Sequence, residues 1–486
     1  MKVSISYPPI NTGKGVPLLS QNRQFQYFHE PTYIYPMVPA YAATLLKKAG
    51  HDVVWDDGIA EEKSYVRWLN DLERNSPDLM MIETKTPVIK RHWKIIEDVK
   101  EVSPETKVVL VGDHVTALPR ESMQNSRVDY VLTGGDYDFL LLNLAEYLEG
   151  KAELELGIWY RENGEIKSTG SFRLDHDLDS LPFIDRDLTK WRLYSEKNGN
   201  FKETPGTYTM VGRDCWWRKN GGCTFCSWPI LYPNFRVRSP ESLVEEIGIL
   251  IERYGIREVF DDTGTFPVGN WLKRFCNLMV ERGYNEEVSF SCNMRFGALS
   301  LKDYKLMRKA GFRMLLFGLE SASQRILNEL NKGLTVEEIV DSCRKAKEAG
   351  LTVHITIMFG YAGASREEEL QTYRLARKLM KDGYADTLQS TLLMPYPGSR
   401  LYETALEKGW LRYSPGEWER WDMSEPVLKS GDMSPEEVKQ LCDETYKLFF
   451  SPQYVLRRLL SVRSFGDLKF SFRGARKILG HVKDFK

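Results

Sequence analysis

Cysteine is missing from the first 214 residues of this 486-residue chain, and only seven occur in all. That scarcity excludes a disulfide framework and fits a reducing compartment. Long apolar runs are missing too: none approaches the ~20 residues that cross a bilayer, so no integral membrane segment is expected. The opening MKVSISYPPI lacks the basic-then-apolar build of a signal peptide, and the expected location is the cytoplasm. Nor is there an excess of one charge. Lys and Arg number 67 against 68 Asp and Glu, which argues against a nucleic-acid partner.

What is present is ordinary globular material, 42% apolar and 28% charged, enough for several domains at about 100–200 residues each. Residues 1–150 alternate apolar strands (KVSISY, DVVWDD, DLMMIET, KVVLVGDH, DYVLTGG) with amphipathic helices. This pattern predicts a doubly wound parallel sheet, which binds ligands at its strand carboxyl ends. Thr84, Thr86, Gly112, His114, Gly134 and Gly135 fall there. Residues 151–205 read as a linker with a hairpin around RENGEIK. Six further strand–helix units between 206 and 400, from TYTMVG to DTLQSTLLMPY, predict a partial (β/α)6 barrel with its site at the strand carboxyl ends. Residues 401–486 read as a helical C-terminal region. The stretch from Ser451 carries nine Lys or Arg against two Asp. Helices with basic faces account for it, with an acidic partner or a membrane surface as the alternative.

The stretch CWWRKNGGCTFC places Cys215, Cys223 and Cys226 just after the first barrel strand. A structural zinc needs four closed ligands, yet no other His or Cys lies within thirty residues of this group. Three thiolates instead suit a [4Fe–4S] cluster, normally held by four, with one iron left open to a substrate or cofactor. Cys276, Cys292, Cys343 and Cys442 are scattered singly and read as small buried hydrophobes.

The cysteine loop with CTFCSW, followed in order by DDTGTF, SCNMRF, FGLES and LMPYPGSRLY, resembles the radical S-adenosylmethionine (SAM) enzymes. Their usual cysteine spacing is three residues and then two; here it is seven and then two, with RKNG as an inserted turn. The resemblance implies that Asp261 or Asp262 accepts from the SAM amino group or the substrate. It also implies that Arg295 holds the SAM carboxylate and that Glu320 binds the amino or ribose groups. The Gly-Gly-Glu-type stretch of the family is replaced by DDTGTF, so the amino-group contact has no sharp assignment. The front segments VGDHVTALP, VDYVLTGG and DLDSLPFIDRDL resemble the front end of cobalamin-dependent radical SAM enzymes. The Asp-x-His-x-x-Gly signature is absent, since Asp113 and His114 are adjacent, and cobalamin is expected without a protein imidazole on cobalt.

The resemblance implies a C-methyltransferase acting on an unactivated carbon, with a peptide or protein side chain, such as a glutamine of methyl-coenzyme M reductase, as the preferred acceptor. Its cofactors would be the [4Fe–4S] cluster, SAM and cobalamin, its partner a low-potential electron donor of the flavodoxin or ferredoxin type. A ring-forming or oxidative enzyme, like the anaerobic magnesium-protoporphyrin monomethyl ester cyclase, is the alternative. A non-catalytic cobalamin or light-sensing protein is a third reading. A methylthiotransferase needs front-domain cysteines, and this chain has none.

Overall fold

The computed structural model describes the chain except for residues 18, 20–24, 197, 199–200, 463–464 and 485–486. Its front sheet contains β1 (Lys2–Tyr7), β2 (Asp52–Asp57), β3 (Leu79–Glu83), β4 (Lys107–Val111) and β5 (Tyr130–Leu132). Two further strands, β6 (Ile158–Glu162) and β7 (Glu165–Ser168), complete it in the order β2-β1-β3-β4-β5-β6-β7. Every residue of β3 is buried, as a strand covered by helices on both faces requires. The hairpin assigned by its sequence to the 151–205 linker is the antiparallel edge of this sheet, paired to β5 through Leu132 and Ile158. Helix Tyr65–Asn75, which buries only Trp68 and Leu72, is an element the apolar pattern did not signal.

The strand order reverses between β1 and β3, which opens a crevice above their carboxyl ends. The long loop after β1 and the Thr84–Thr86 segment flank it.

The second sheet runs β8 (Gly206–Thr209), β9 (Glu258–Asp261), β10 (Ser289–Met294), β11 (Phe312–Glu320), β12 (Thr352–Phe359) and β13 (Thr387–Leu392). All are parallel and in sequence order, the partial barrel expected. Helix Pro240–Tyr254 shows why the returns are sharp: Ser239 caps it, proline occupies its first turn, and Gly255 ends it at φ +64°. Helices between strands bring every carboxyl end to one mouth, where loops can converge on a ligand.

Buried arginines lock the two units together. Arg213 donates to Asp138 at 2.5 Å and to the Gly135 carbonyl at 3.1 Å, and Arg236 pairs with Asp136 at 2.5 Å. Arg238 reaches Tyr41 Oη and Glu246, both at 2.8 Å. Removing one partner from such a dry pair leaves an uncompensated charge.

The C-terminal region is helical: Arg400–Glu407, Pro435–Tyr446, Pro452–Leu460 and Phe465–Asp484. Two of the nine basic tail residues, Arg463 and Lys486, lie outside the described residues. Arg457 and Arg473 donate to the carbonyls of Lys381 and Phe201, and Arg476 pairs with Glu30, so these three bind the protein itself. Among the described residues, no helix is long and apolar enough to cross a membrane.

Candidate active site

The cysteine loop leaves β8 and is pinned from three directions. Thr224 donates to the Leu330 carbonyl at 3.0 Å, and Leu401 donates to the Thr224 carbonyl at 2.9 Å. Arg400 donates to the carbonyls of Gly221 and Gly222 at 2.8 and 2.6 Å. Behind the loop, Gly264 leaves no room for a side chain: a Cβ there would lie 2.5 Å from the Asp214 carbonyl oxygen. That close approach is what the DDTGTF segment supplies.

Cys215, Cys223 and Cys226 are half-buried. The Cys215 thiol lies 3.0 Å from Thr265 Oγ1. Burial pushes the Cys226 thiol up to about 12, with Cys223 nearby adding to the shift, and burial raises Cys215 as well. A group that keeps its protons this firmly is a thiolate only when a metal displaces them, so loading should release protons. Among the described residues, no three His, Cys, Asp or Glu side chains gather tightly enough for a single ion. Three thiols spread around one loop fit the corners of a [4Fe–4S] cubane with one iron left without a protein ligand.

Arg295, at the end of β10, is only 7% exposed. Burial lowers its pKa, while the nearby Cys223 and Cys215 oppose that shift. Its Nη2 is buried without a partner. An orphaned guanidinium nitrogen beside the thiols is what a carboxylate-bearing ligand would satisfy.

Glu320 ends β11 at φ +64°. Its carboxylate accepts from Lys332 at 3.1 Å. Gly318 makes that fold-back possible, because a Cβ there would lie 2.1 Å from Glu320 Oε1. Ser323 caps the helix that follows. Asp261 is fully buried and holds the backbone: it accepts from Thr209 Oγ1 at 2.8 Å, Val211 N at 3.0 Å and Thr263 N at 3.1 Å. Those bonds fix the exit of β8, which places Asp261 behind the loop. Asp262 is half-buried and accepts from Asn293 at 3.4 Å.

Tyr361 has no counterpart in the sequence reading. Glu369, pushed up to about 7 by burial, accepts from the backbone N–H groups of Gly360 and Tyr361. The Tyr361 hydroxyl is buried without a partner, and the nearby charges acting on it are Glu320, Glu369 and Cys223. A tyrosine just past a strand end is its only signal in the chain.

The front edge is filled differently. Thr84 Oγ1 bonds His92 at 2.7 Å, and Thr86 Oγ1 bonds His114 at 3.1 Å. The other His114 nitrogen lies 2.9 Å from Glu121, so both ring nitrogens are engaged and neither is free for a metal. A Cβ on Gly112, Gly134 or Gly135 would meet the Thr84 carbonyl, the Phe172 ring or the Tyr232 ring at 2.4, 2.5 and 1.8 Å. The open polar group here is Gln26, in the loop after β1: it is 4% exposed and neither amide atom has a partner. Its neighbour Phe25 donates to Tyr396 Oη at 3.2 Å, and Asp113 is among the charges acting on Tyr396. An unpaired amide in this loop fits the amide-bearing rim of a corrin.

Residues 211–376 match the family model of the Radical SAM superfamily. Over those residues the chain carries a radical SAM domain. An uncharacterized methyltransferase of Pyrococcus horikoshii is 28% identical over 450 residues, covering 91% of this chain and 94% of its own. An anaerobic magnesium-protoporphyrin IX monomethyl ester cyclase of Cereibacter sphaeroides is 25% identical over 429 residues, 85% of this chain and 67% of its own. The solved radical SAM methyltransferase TsrM of Kitasatospora setae, with cobalamin and a [4Fe-4S] cluster bound, matches with a TM-score of 0.69 at 15% identity. That match spans 100% of this chain and 99% of TsrM, and it is a likeness of fold. The chain therefore shares the two-part fold of that cobalamin-bound structure, a front sheet joined to a partial barrel.

Proposed function

We propose that this radical SAM enzyme is a cobalamin-dependent methyltransferase that adds a methyl group to an unactivated carbon. One observation carries the reading: a single chain presents an unpartnered guanidinium beside three thiols and an unpartnered amide in the loop after the first strand of a second sheet. The methyltransferase among its relatives, similar over nearly the whole of both chains, supports it. When bound, the cluster supplies the electron that cleaves one SAM to a hydrogen-abstracting radical, and cobalamin carries the methyl group that another SAM donates.

The protein's part is to hold and align. Arg295 clamps the SAM carboxylate through its free N–H edge. Glu320, steadied by Lys332, accepts from the amino or ribose groups, and Asp262 stands at the same mouth. Cys215, Cys223 and Cys226 would hold three irons, with Thr265 Oγ1 3.0 Å from the Cys215 sulfur. On the front side, Gln26 would bond the corrin rim, and Thr84, Thr86, Gly112, Gly134 and Gly135 would line the site through shape and backbone. His114 supports that lining without reaching cobalt. The electron donor is of the flavodoxin or ferredoxin type, the setting is the cytoplasm, and the acceptor class is a peptide or protein side chain, a glutamine of methyl-coenzyme M reductase being one example.

The test is product analysis on the anaerobically reconstituted enzyme with methyl-labelled SAM and candidate substrates, peptides among them. The expected result is label in the product, with S-adenosylhomocysteine and 5′-deoxyadenosine in near-equal amounts. An oxidised or ring-closed product without label, made with stoichiometric deoxyadenosine, would assign the chain to the cyclase-like chemistry instead.

A further inference from the structure

The residues that widen the cysteine spacing do more than bridge it. Cys215 leads into one 3-10 turn, Trp216–Asn220. Its second residue, Trp217, lays its indole on Arg295, whose guanidinium carbon lies 3.8 Å from the ring centre. The ring is fixed at its edge and from behind. Its N–H donates to the Asn331 carbonyl at 2.8 Å, and the Asn331 amide donates back to the carbonyls of Asn220 and Gly222 at 2.9 and 2.7 Å. A Cβ on Gly333, at φ +55°, would lie 2.4 Å from the indole, so only glycine admits the ring there.

Stacking occupies the face of a guanidinium and leaves its in-plane N–H groups available. For Arg295 the free edge includes the buried, unpartnered Nη2. No carboxylate of the protein forms an ion pair with Arg295 among the described residues; the aromatic face of Trp217 holds it instead. An arginine held by a ring can meet an incoming carboxylate without first breaking a salt bridge.

We propose that the turn leading out of Cys215 is part of the SAM site: Trp217, just ahead of the RKNG insertion, is a positioning residue that sets the plane of Arg295, so that SAM is gripped through a carboxylate clamp built on the enzyme's own cysteine loop. This rests on the reading of Arg295 as the carboxylate partner, and the experiment separates the two.

SAM affinity is measured by equilibrium dialysis on anaerobically reconstituted full-length enzyme, with iron per chain and the cluster's reduction potential measured beside it. Loss of a largely desolvated cation–π contact corresponds to roughly 5- to 30-fold weaker binding. Trp217→Leu is expected to lose that much SAM affinity at unchanged iron content, while Trp217→Phe, which keeps a ring face, stays within about 3-fold of wild type. Arg295→Lys, which leaves the cysteine loop untouched, is expected to lose at least as much. Because both changes act through one contact, the double variant should be no weaker than Arg295→Lys alone. Wild-type affinity in Trp217→Leu, or single losses that multiply in the double variant, would overturn the role of Trp217 and leave Arg295 in place. Wild-type affinity in Arg295→Lys would overturn the carboxylate reading itself. If leucine costs iron, the Phe variant and the Arg295→Lys variant still decide: Phe must bind like wild type and Lys must not.

Discussion

The two parallel sheets present their carboxyl ends to ligands in opposite conditions. At the barrel mouth the polar groups are left open: three thiols, Arg295 Nη2 and Tyr361 Oη lack protein partners or need a metal to ionise. At the front sheet the residues that the sequence marked are already used. Thr86 and His114 bond each other, Thr84 bonds His92, and three glycines are packed against protein atoms. Gln26 and the far nitrogen of His92 remain unsatisfied there. The difference teaches that one edge is prepared to bind through specific charged contacts and the other mainly through shape and backbone, with the arginine pairs to Asp136 and Asp138 holding them together.

The comparison breaks most violently at the thiols. Replacing Cys215, Cys223 or Cys226 by Ala should abolish the cluster and all SAM cleavage while leaving cobalamin bound, measured as iron, deoxyadenosine and cobalt per chain. A Cys215→Ala enzyme that keeps its iron and cleaves SAM would show that the widened loop does not use its first thiol.

Next in size is the junction. Arg213→Ala strands the fully buried Asp138 and should cost about 3–5 kcal/mol, read from chemical denaturation. Separate unfolding of the two units would be the sharpest form of that result.

Each sheet also holds one enclosed histidine bonded to a threonine, His92 to Thr84 and His354 to Thr387. In both rings Nε2 is fully enclosed without a partner, although His354 as a residue is half-buried. Burial pushes His92 down to about 3 and His354 down to about 4. The unfolded chain, with histidine near 6.5, therefore binds protons that the native state refuses. Stability is full above about pH 6.5 and falls as pH drops towards 4, by on the order of 3 kcal/mol per histidine. Denaturation midpoints against pH should show this in wild type. His92→Gln and His354→Gln should each flatten part of the slope, and an unchanged slope would mean that the rings are hydrated.

The smallest effect is expected at His114. His114→Gln should cost about 1–2 kcal/mol from two lost hydrogen bonds, yet leave the paramagnetic resonance spectrum of bound cob(II)alamin unaltered. Nitrogen splitting in wild type that disappears in the variant would make His114 a cobalt ligand after all.

Much of this was legible in the chain. Apolar runs located β1–β5 and β8–β13, because strands buried on both faces need continuous apolar residues. Helix Tyr65–Asn75 escaped because only two of its residues are buried, and the pairing of the RENGEIK hairpin with β5 is a non-local contact that no local pattern encodes. The cysteines, Arg295 and Glu320 could be read because their spacing and strand-end positions are local. Asp261 was read as a ligand residue, but its oxygens are taken by Thr209, Val211 and Thr263. Which acceptor a carboxylate keeps free depends on the neighbouring strand. Trp217, Tyr361 and Gln26 went unmarked for the same reason: each becomes informative only once its partners, or their absence, are known.

The account stands on the claim that the three-thiol loop leaves one iron open for SAM. Electron–nuclear double resonance on the reduced, reconstituted enzyme with 15N-amino-labelled SAM tests it most directly. A resolved hyperfine coupling between the label and the cluster is predicted, and it should vanish when the label is removed. A fully loaded, reduced cluster that shows no coupling under saturating SAM would contradict the open iron and, with it, the reading of this site.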